Sequence, residues 1–254
     1  MKVITITNQK GGTGKTTTVH ALMSGLTRMK YKVLAVDLDP QCNLSFILQA
    51  DPEKPTALGI LTGEAKAKDT IQHTPSGDFI ASSKRLANAE KLLDGVGREY
   101  KLKKALATIK KDYDYILIDT PPALGILTLN ALTACNSVII PALADIFSLQ
   151  GIERLSETIE PVREYTNKDI TIDGILLTKY SGDRTTLNRN IRDIAAQTAK
   201  KLNTRLYKAA IREAVAVREA QACLQDIFTY APKSKPAADY QQFIKELIKQ
   251  ESSR

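Results

Sequence analysis

Apolar residues fall along this chain in short, nearly unbroken runs rich in β-branched side chains, at residues 3–6, 33–36, 115–118, 138–140 and 172–177. Strands buried on both faces read this way, because no face is left for polar alternation. Helix-like stretches separate most of the runs. That order predicts an α/β fold, a doubly wound and mostly parallel sheet flanked by helices on both faces. A first helix is expected over 15–30, where Val19, Leu22, Met23 and Leu26 recur at i, i+3, i+4 and i+7. Residues 77–83 read as an additional strand, and 87–93 and 99–111 as charged surface helices. Later helices are expected over 149–165, 186–202 and 237–250. The last carries Tyr240, Phe243, Ile244, Leu247 and Ile248 on one stripe. Docking of that stripe on the sheet is expected rather than membrane anchoring, since Asp239, Glu246 and Glu251 interrupt the basic face that anchors favour.

Composition narrows this picture. With 254 residues, 43% of them hydrophobic, and no Pro/Gly/Ser linker, the chain reads as one domain over 1–254. No apolar run approaches the roughly 18 residues of a membrane span. The chain enters its first strand at once, so neither an export signal nor an N-terminal helix-turn-helix extension is expected. Three widely spaced cysteines suit reduced thiols in a cytoplasm better than a disulfide frame or a CxxC metal site. Net charge is +8, and ten Lys/Arg stand against three Asp/Glu between Lys179 and Arg218. So clustered a positive charge is the footprint of a polyanion binder, although a solvated helical face is its ordinary alternative.

The chemistry is concentrated in "ITITNQKGGTGKTTTV", residues 4–19. A strand, a glycine-rich turn, Gly14-Lys15-Thr16 and an amphipathic helix follow one another as in a phosphate-binding loop, where backbone N–H groups and a helix N-terminus surround the phosphates. Gln9 occupies the place of the usual first glycine, while Gly11 and Gly12 loosen the loop. Lys15 is expected on the β- and γ-phosphates, the Thr16 hydroxyl on Mg²⁺, and Thr17 near the α-phosphate. "YILIDTPP" ends an apolar strand in Asp119, from which a carboxylate can hold Mg²⁺ directly or through water. "VLAVDLDPQCN" ends another in Asp37 and Asp39. Acidic residues at strand ends can be simple turn formers, but three beside a phosphate loop fit the ligand crevice of an open α/β sheet. Neither His20 nor His73 stands where it suggests a metal.

The sequence at this point resembles the ParA/Soj family of deviant Walker A ATPases, which segregate plasmids and chromosomes. The resemblance rests on "NQKGGTGKTTT", "VDLDPQCN", "YDYILIDTPPALGILTLNAL", "SVIIPA", "GILLTKY", "REAVAVREAQA" and "YAPKSKPAADY". It implies an ATP-sandwich homodimer in which Lys10 crosses to the nucleotide of the other subunit, and a loop in which Gly11, Gly12, Thr13 and Gly14 join Lys15, Thr16 and Thr17 around ATP. Asp39 would position or activate the attacking water, with Asp37, Asp39, Asp119 and Thr16 around Mg²⁺. Thr178 and Pro232 would flank adenine. Arg184 stands at the family's first DNA-contacting arginine. Ala216 occupies the second such place, with Arg212 and Arg218 nearby. Cys42 replaces the glycine of "DPQGN", a neutral change if only size matters. The implied activity is slow, partner-stimulated ATP hydrolysis by a cytoplasmic, nucleoid-associated protein that binds DNA without sequence preference and answers to a ParB-like partner. The alternatives are a MinD-like membrane-positioning ATPase, an ATP-dependent amide ligase, and an iron-protein reductase, for which Cys135 has no evident partner.

Overall fold

The computed structural model describes residues 1–180, 182 and 185–251. In chain order its elements are β1 (Lys2–Ile6), α1 (Lys15–Arg28), β2 (Val33–Asp37), α2 (Asn43–Ile47), α3 (Ala57–Thr62), β3 (Ile71–Thr74), β4 (Gly77–Ile80), α4 (Ala89–Leu92), α5 (Lys101–Ala107), β5 (Tyr115–Asp119), α6 (Ile126–Ala134), β6 (Ser137–Leu143), α7 (Ile146–Tyr165), β7 (Thr171–Thr178), α8 (Thr186–Lys201), α9 (Val215–Ala222), α10 (Ile227–Tyr230) and α11 (Lys235–Glu251). The strands form one sheet in the order β3-β4-β2-β5-β1-β6-β7. Every pairing is parallel except that of the edge hairpin β3–β4.

The five apolar runs of the sequence are β1, β2, β5, β6 and β7, and each splits its side chains between two cores. Leu34, Val36, Ile116, Ile118, Val138 and Ile140 face one core, which α3, α5, α6, α7 and α8 cover. Ile4, Ile6, Ala35, Leu117, Ile139 and Leu176 face the other, which α1 and α11 cover. The α11 stripe is buried there: Tyr240, Phe243, Ile244 and Leu247 have almost no exposure. Gly25 of α1 leaves room for Ile244 at this contact, since an added Cβ would displace the end of that side chain. Among the described residues no helix is long and apolar enough to cross a membrane.

Departures from the pattern have local causes. Residues 126–134 carry no amphipathic signal, yet form α6, because seven of its nine residues are buried and a helix enclosed on most sides needs no polar stripe. Its first turn is held by the Glu90 carboxylate, which accepts the Ile126 N–H at 2.6 Å. Helix α7 begins at 146, ahead of the expected 149, since Asp145 caps it by accepting the Ser148 N–H at 2.7 Å. The region 99–111 divides into a 3₁₀ turn, α5 and another 3₁₀ turn. Residues 87–93 contribute only the single turn α4 after a 3₁₀ segment.

Strand β1 lies between β5 and β6, so the chain leaves β1 towards β2 on one side and later returns to β6 on the other. This reversal makes a crevice at the carboxyl ends of the strands. Register then decides what meets there: Ile6 pairs with Asp119, and Asp37 pairs with the same Asp119. The last residues of β1, β5 and β2 thus stand in one row beneath the loop that follows β1.

Candidate active site

Residues 7–14 form that loop, and Asn8 anchors it. The buried Asn8 amide donates to the Pro141 carbonyl at 2.8 Å, while its Oδ1 accepts the Lys10 N–H at 3.0 Å. Gly12 and Gly14 adopt φ of +74° and +85°, and a Cβ added at Gly11 or Gly12 would meet nothing within 4 Å. The glycines therefore supply left-handed backbone and an open approach from the crevice side. Gly14 leads into α1 without any side-chain cap, and the first turn has no acidic residue. The uncapped N–H groups and the positive end of the helix dipole suit an anion.

Lys15 is buried, and its ammonium donates to the carbonyls of Asn8 at 3.1 Å and Lys10 at 3.4 Å. Burial lowers its pKa, while Asp119 and Asp39 work in the opposite direction. Lys10 is placed differently. Its half-exposed ammonium is clasped by both oxygens of Asp145, at 3.0 and 2.8 Å. Although partial burial opposes it, this clasp and the Ser148 N–H hold the Asp145 carboxyl below the usual carboxylate range.

The three acidic residues at the strand ends are not equivalent. Asp119 is fully buried, and neither of its oxygens has a hydrogen-bond partner. Burial, then the Asp37 charge, pushes its pKa well up, against the Thr16 hydroxyl and Lys15. An orphaned carboxylate so placed is an appropriate neighbour for a divalent cation. Asp37 is already committed to the protein: Oδ1 accepts the Asp39 N–H at 3.0 Å, and Oδ2 accepts the Ser45 N–H at 2.9 Å and its hydroxyl at 2.7 Å. Its pKa is pushed up to about 6, chiefly by burial. Its geometry is that of a loop anchor. Asp39 faces the crevice, with the Gln41 N–H on Oδ1 at 3.0 Å.

The crevice has a volume of about 750 Å³. Gly11, Gly12, Gly14, Lys15, Thr16 and Thr17 line one side of it together with Asp39. Thr178 lines it too, and its hydroxyl lies 2.8 Å from the Thr13 carbonyl, tying β7 to the loop. Ile211, Val217 and Gln221 also line the crevice, and Gln221 donates to the Thr17 hydroxyl at 2.9 Å. Asp37, Asp119 and the buried Thr13 lie behind this lining, and Lys10 stands outside it. Pro232 is exposed and does not line the crevice. Arg212 and Arg218 line it, and Arg212 is held by Asp239 through two hydrogen bonds, at 2.9 and 2.6 Å. Arg218, by contrast, is exposed. Arg184 lies outside the described residues.

Two features add to the sequence reading. Cys42 has φ of +56°, so the glycine that the family favours there answers a left-handed backbone rather than a size limit. The sequence alone marks neither Asp145 nor Gln221 as a site residue, although Asp145 followed three residues later by Ser148 has the form of a helix start. Cys135 is buried, and burial pushes its thiol up to about 12.

A family model described as an AAA domain matches residues 1–172. The sporulation initiation inhibitor protein Soj of Bacillus subtilis is 39% identical over 252 residues, covering 97% of this chain and 98% of that protein. The chromosome partitioning protein ParA of Caulobacter vibrioides is 34% identical over 261 residues, covering 100% and 96%. Among solved structures, cobyrinic acid a,c-diamide synthase from Mycobacterium smegmatis with bound ADP and magnesium superposes with a TM-score of 0.85 at 34% identity, covering 100% of this chain and 97% of that one. Near full-length identity, the Gly14-Lys15-Thr16 loop and the row of strand-end carboxylates agree: the chain belongs to the Soj/ParA family of P-loop ATPases.

Proposed function

We propose that this protein is a Mg²⁺-ATP-dependent DNA-partitioning ATPase whose ATP-bound homodimer binds DNA without sequence preference. The observation that carries the proposal is the division of labour between two lysines. Lys15 sits inside its own loop, whereas Lys10 stands outside the crevice on an exposed carboxylate. A cation supplied by a second copy completes a phosphoryl-transfer site only on assembly, and so makes hydrolysis a timed event.

In this reading the triphosphate lies along the uncapped start of α1, with Lys15 against its outer phosphates. The Thr16 hydroxyl, with Asp39 and the orphaned Asp119 carboxylate behind it, would hold Mg²⁺, which supplies charge neutralisation at the β- and γ-oxygens. Asp39 accepts a hydrogen bond from the attacking water and aims its oxygen at the γ-phosphorus. As the new P–O bond forms, the bond to the β–γ bridging oxygen breaks, ADP leaves, and the proton of the attacking water passes to an oxygen of the phosphate formed. Lys10 from the other protomer meets the charge that develops there. Thr178, on the lining, is a base-side contact, while the exposed Pro232 would have to move to become one. The Soj and ParA names of the relatives, together with the positive charge of 179–218, support DNA as cargo and a ParB-like stimulating partner at the nucleoid. Exposed Arg189 and Lys200 on α8 belong to that surface, with Arg184 beside it in sequence.

The test is a gel shift on unrelated DNA with wild type, Asp39→Ala and Arg184→Ala, each with ADP or ATP. The Asp39→Ala protein with ATP should shift DNA, with a log–log salt slope of about −0.9 per phosphate engaged, and Arg184→Ala should weaken the shift. No shift by ATP-bound Asp39→Ala at low salt contradicts the proposal. The name of the Mycobacterium smegmatis protein favours a second reading, ATP-dependent amide formation. It requires ATP consumption that depends on an added carboxylate and amino donor.

A further inference from the structure

Asp39 is the residue on which the hydrolytic step above depends, and it lies on a loop. A carboxylate that aims a water needs a fixed backbone, because a misplacement of about 1 Å can cost on the order of 100-fold in rate. The loop is fixed by a closed circuit of directional hydrogen bonds among four buried residues. The Asp39 N–H donates to Asp37 Oδ1 at 3.0 Å. Asp37 Oδ2 accepts the Ser45 hydroxyl at 2.7 Å. The Ser45 oxygen in turn accepts the Ser82 N–H at 2.7 Å. The Ser82 hydroxyl closes the circuit by donating to the Asp39 carbonyl at 2.7 Å. Asp39 is thereby gripped at its N–H by the end of β2 and at its C=O by the segment just past β4, with Ser45 in the first turn of α2 linking the two.

We infer that Ser45 and Ser82 are positioning residues for hydrolysis, Ser45 holding Asp39 towards the crevice by way of Asp37 and Ser82 by its bond to the Asp39 carbonyl. This rests on the reading of Asp39 as the water-orienting group. The circuit engages both oxygens of Asp37, and its carboxylate is the joint through which Ser45 reaches Asp39. Each hydroxyl has a donor duty that alanine cannot perform, and neither serine lines the crevice. Their loss should therefore touch the rate of the chemical step and leave nucleotide binding alone. Because the bonds form one circuit, breaking it at either serine should have the same consequence, and breaking it at both should add little.

The experiment compares wild type, Ser45→Ala, Ser82→Ala, the double variant and Asp39→Ala. Hydrolysis is measured at saturating Mg²⁺-ATP with non-specific DNA, KM for ATP and ADP affinity are determined in parallel, and the thermal midpoint is recorded as a check on folding. The expected result is a fall in kcat of about tenfold for either serine variant, KM and ADP affinity within about twofold of wild type, and a double variant no slower than about twofold below the worse single. If Asp39→Ala is inactive while both serine variants keep wild-type kcat, the inference is overturned and the role of Asp39 stands. Additive losses, or losses of ADP affinity as large as those of kcat, overturn it equally. If Asp39→Ala hydrolyses ATP at the wild-type rate, the reading of Asp39 itself fails. Should Ser45→Ala not fold, Ser82→Ala alone carries the test, since it removes only the hydroxyl donated to the Asp39 carbonyl.

Discussion

Lys10 and Lys15 are five residues apart in one loop, yet they occupy opposite environments. Lys15 is 6% exposed and bonded only to main-chain carbonyls, so its charge is expressed within a crevice where anions replace solvent. The Lys10 side chain retains about a third of its exposure and has an acidic partner of its own in Asp145. A buried cation without a paired carboxylate is a standing site for an anionic ligand. A clasped surface cation is instead one that can be released. Binding and completion of the site are thus assigned to different lysines, and the second assignment can be reversed when protomers separate.

The largest break in this contrast comes from Lys15→Ala, which should weaken Mg²⁺-ATP and Mg²⁺-ADP binding by about 100-fold or more, at roughly 1.4 kcal/mol per factor of ten. Calorimetric titration checks it, and an affinity within a few-fold of wild type contradicts the assignment. Asp145→Asn sharpens the other side. Asparagine caps a helix about as well as aspartate, so α7 keeps its start while Lys10 loses its charged partner. An exposed pair worth up to about 1 kcal/mol predicts ATP-dependent dimerisation up to about fivefold tighter per protomer, with ADP affinity unchanged. Sedimentation across a range of protein concentrations measures it. The smallest effect is on stability. The folded Asp145 carboxyl is depressed, so the stabilisation it gains is present above its unfolded pKa near 3.8 and is lost as pH falls through the lower folded value. Wild type should exceed Asp145→Asn by no more than about 1 kcal/mol at pH 7. That difference should vanish in acid, as thermal melts at a series of pH values would show.

The parallel sheet was legible because its central strands are buried on both faces and write themselves as apolar runs. Helix α6 was not, because a segment enclosed on most sides loses the periodicity by which helices are recognised. In the site, residues adjacent in sequence were read readily: the glycines, Lys15 and Thr16 share one loop, and Asp119 ends a strand. What required the fold was pairing across distance. Asp145 lies 135 residues from Lys10, and Ser82 lies 43 from Asp39. Only strand order brings them together. Asp37 shows a subtler limit, since its residue type fits a metal ligand, while the N–H and hydroxyl of Ser45 and the N–H of Asp39 occupy both its oxygens. Cys42 shows another, for a one-letter code reports size but not φ.

Lys10 is proposed to serve the nucleotide of a neighbouring protomer. Sedimentation equilibrium of Asp39→Ala and of Lys10→Ala/Asp39→Ala with saturating Mg²⁺-ATP tests it most directly, because neither protein should consume the ligand during the run. Both should bind ATP alike, Asp39→Ala should sediment as a dimer, and the double variant should sediment as a monomer. A double variant that binds ATP and dimerises as well as Asp39→Ala would contradict it.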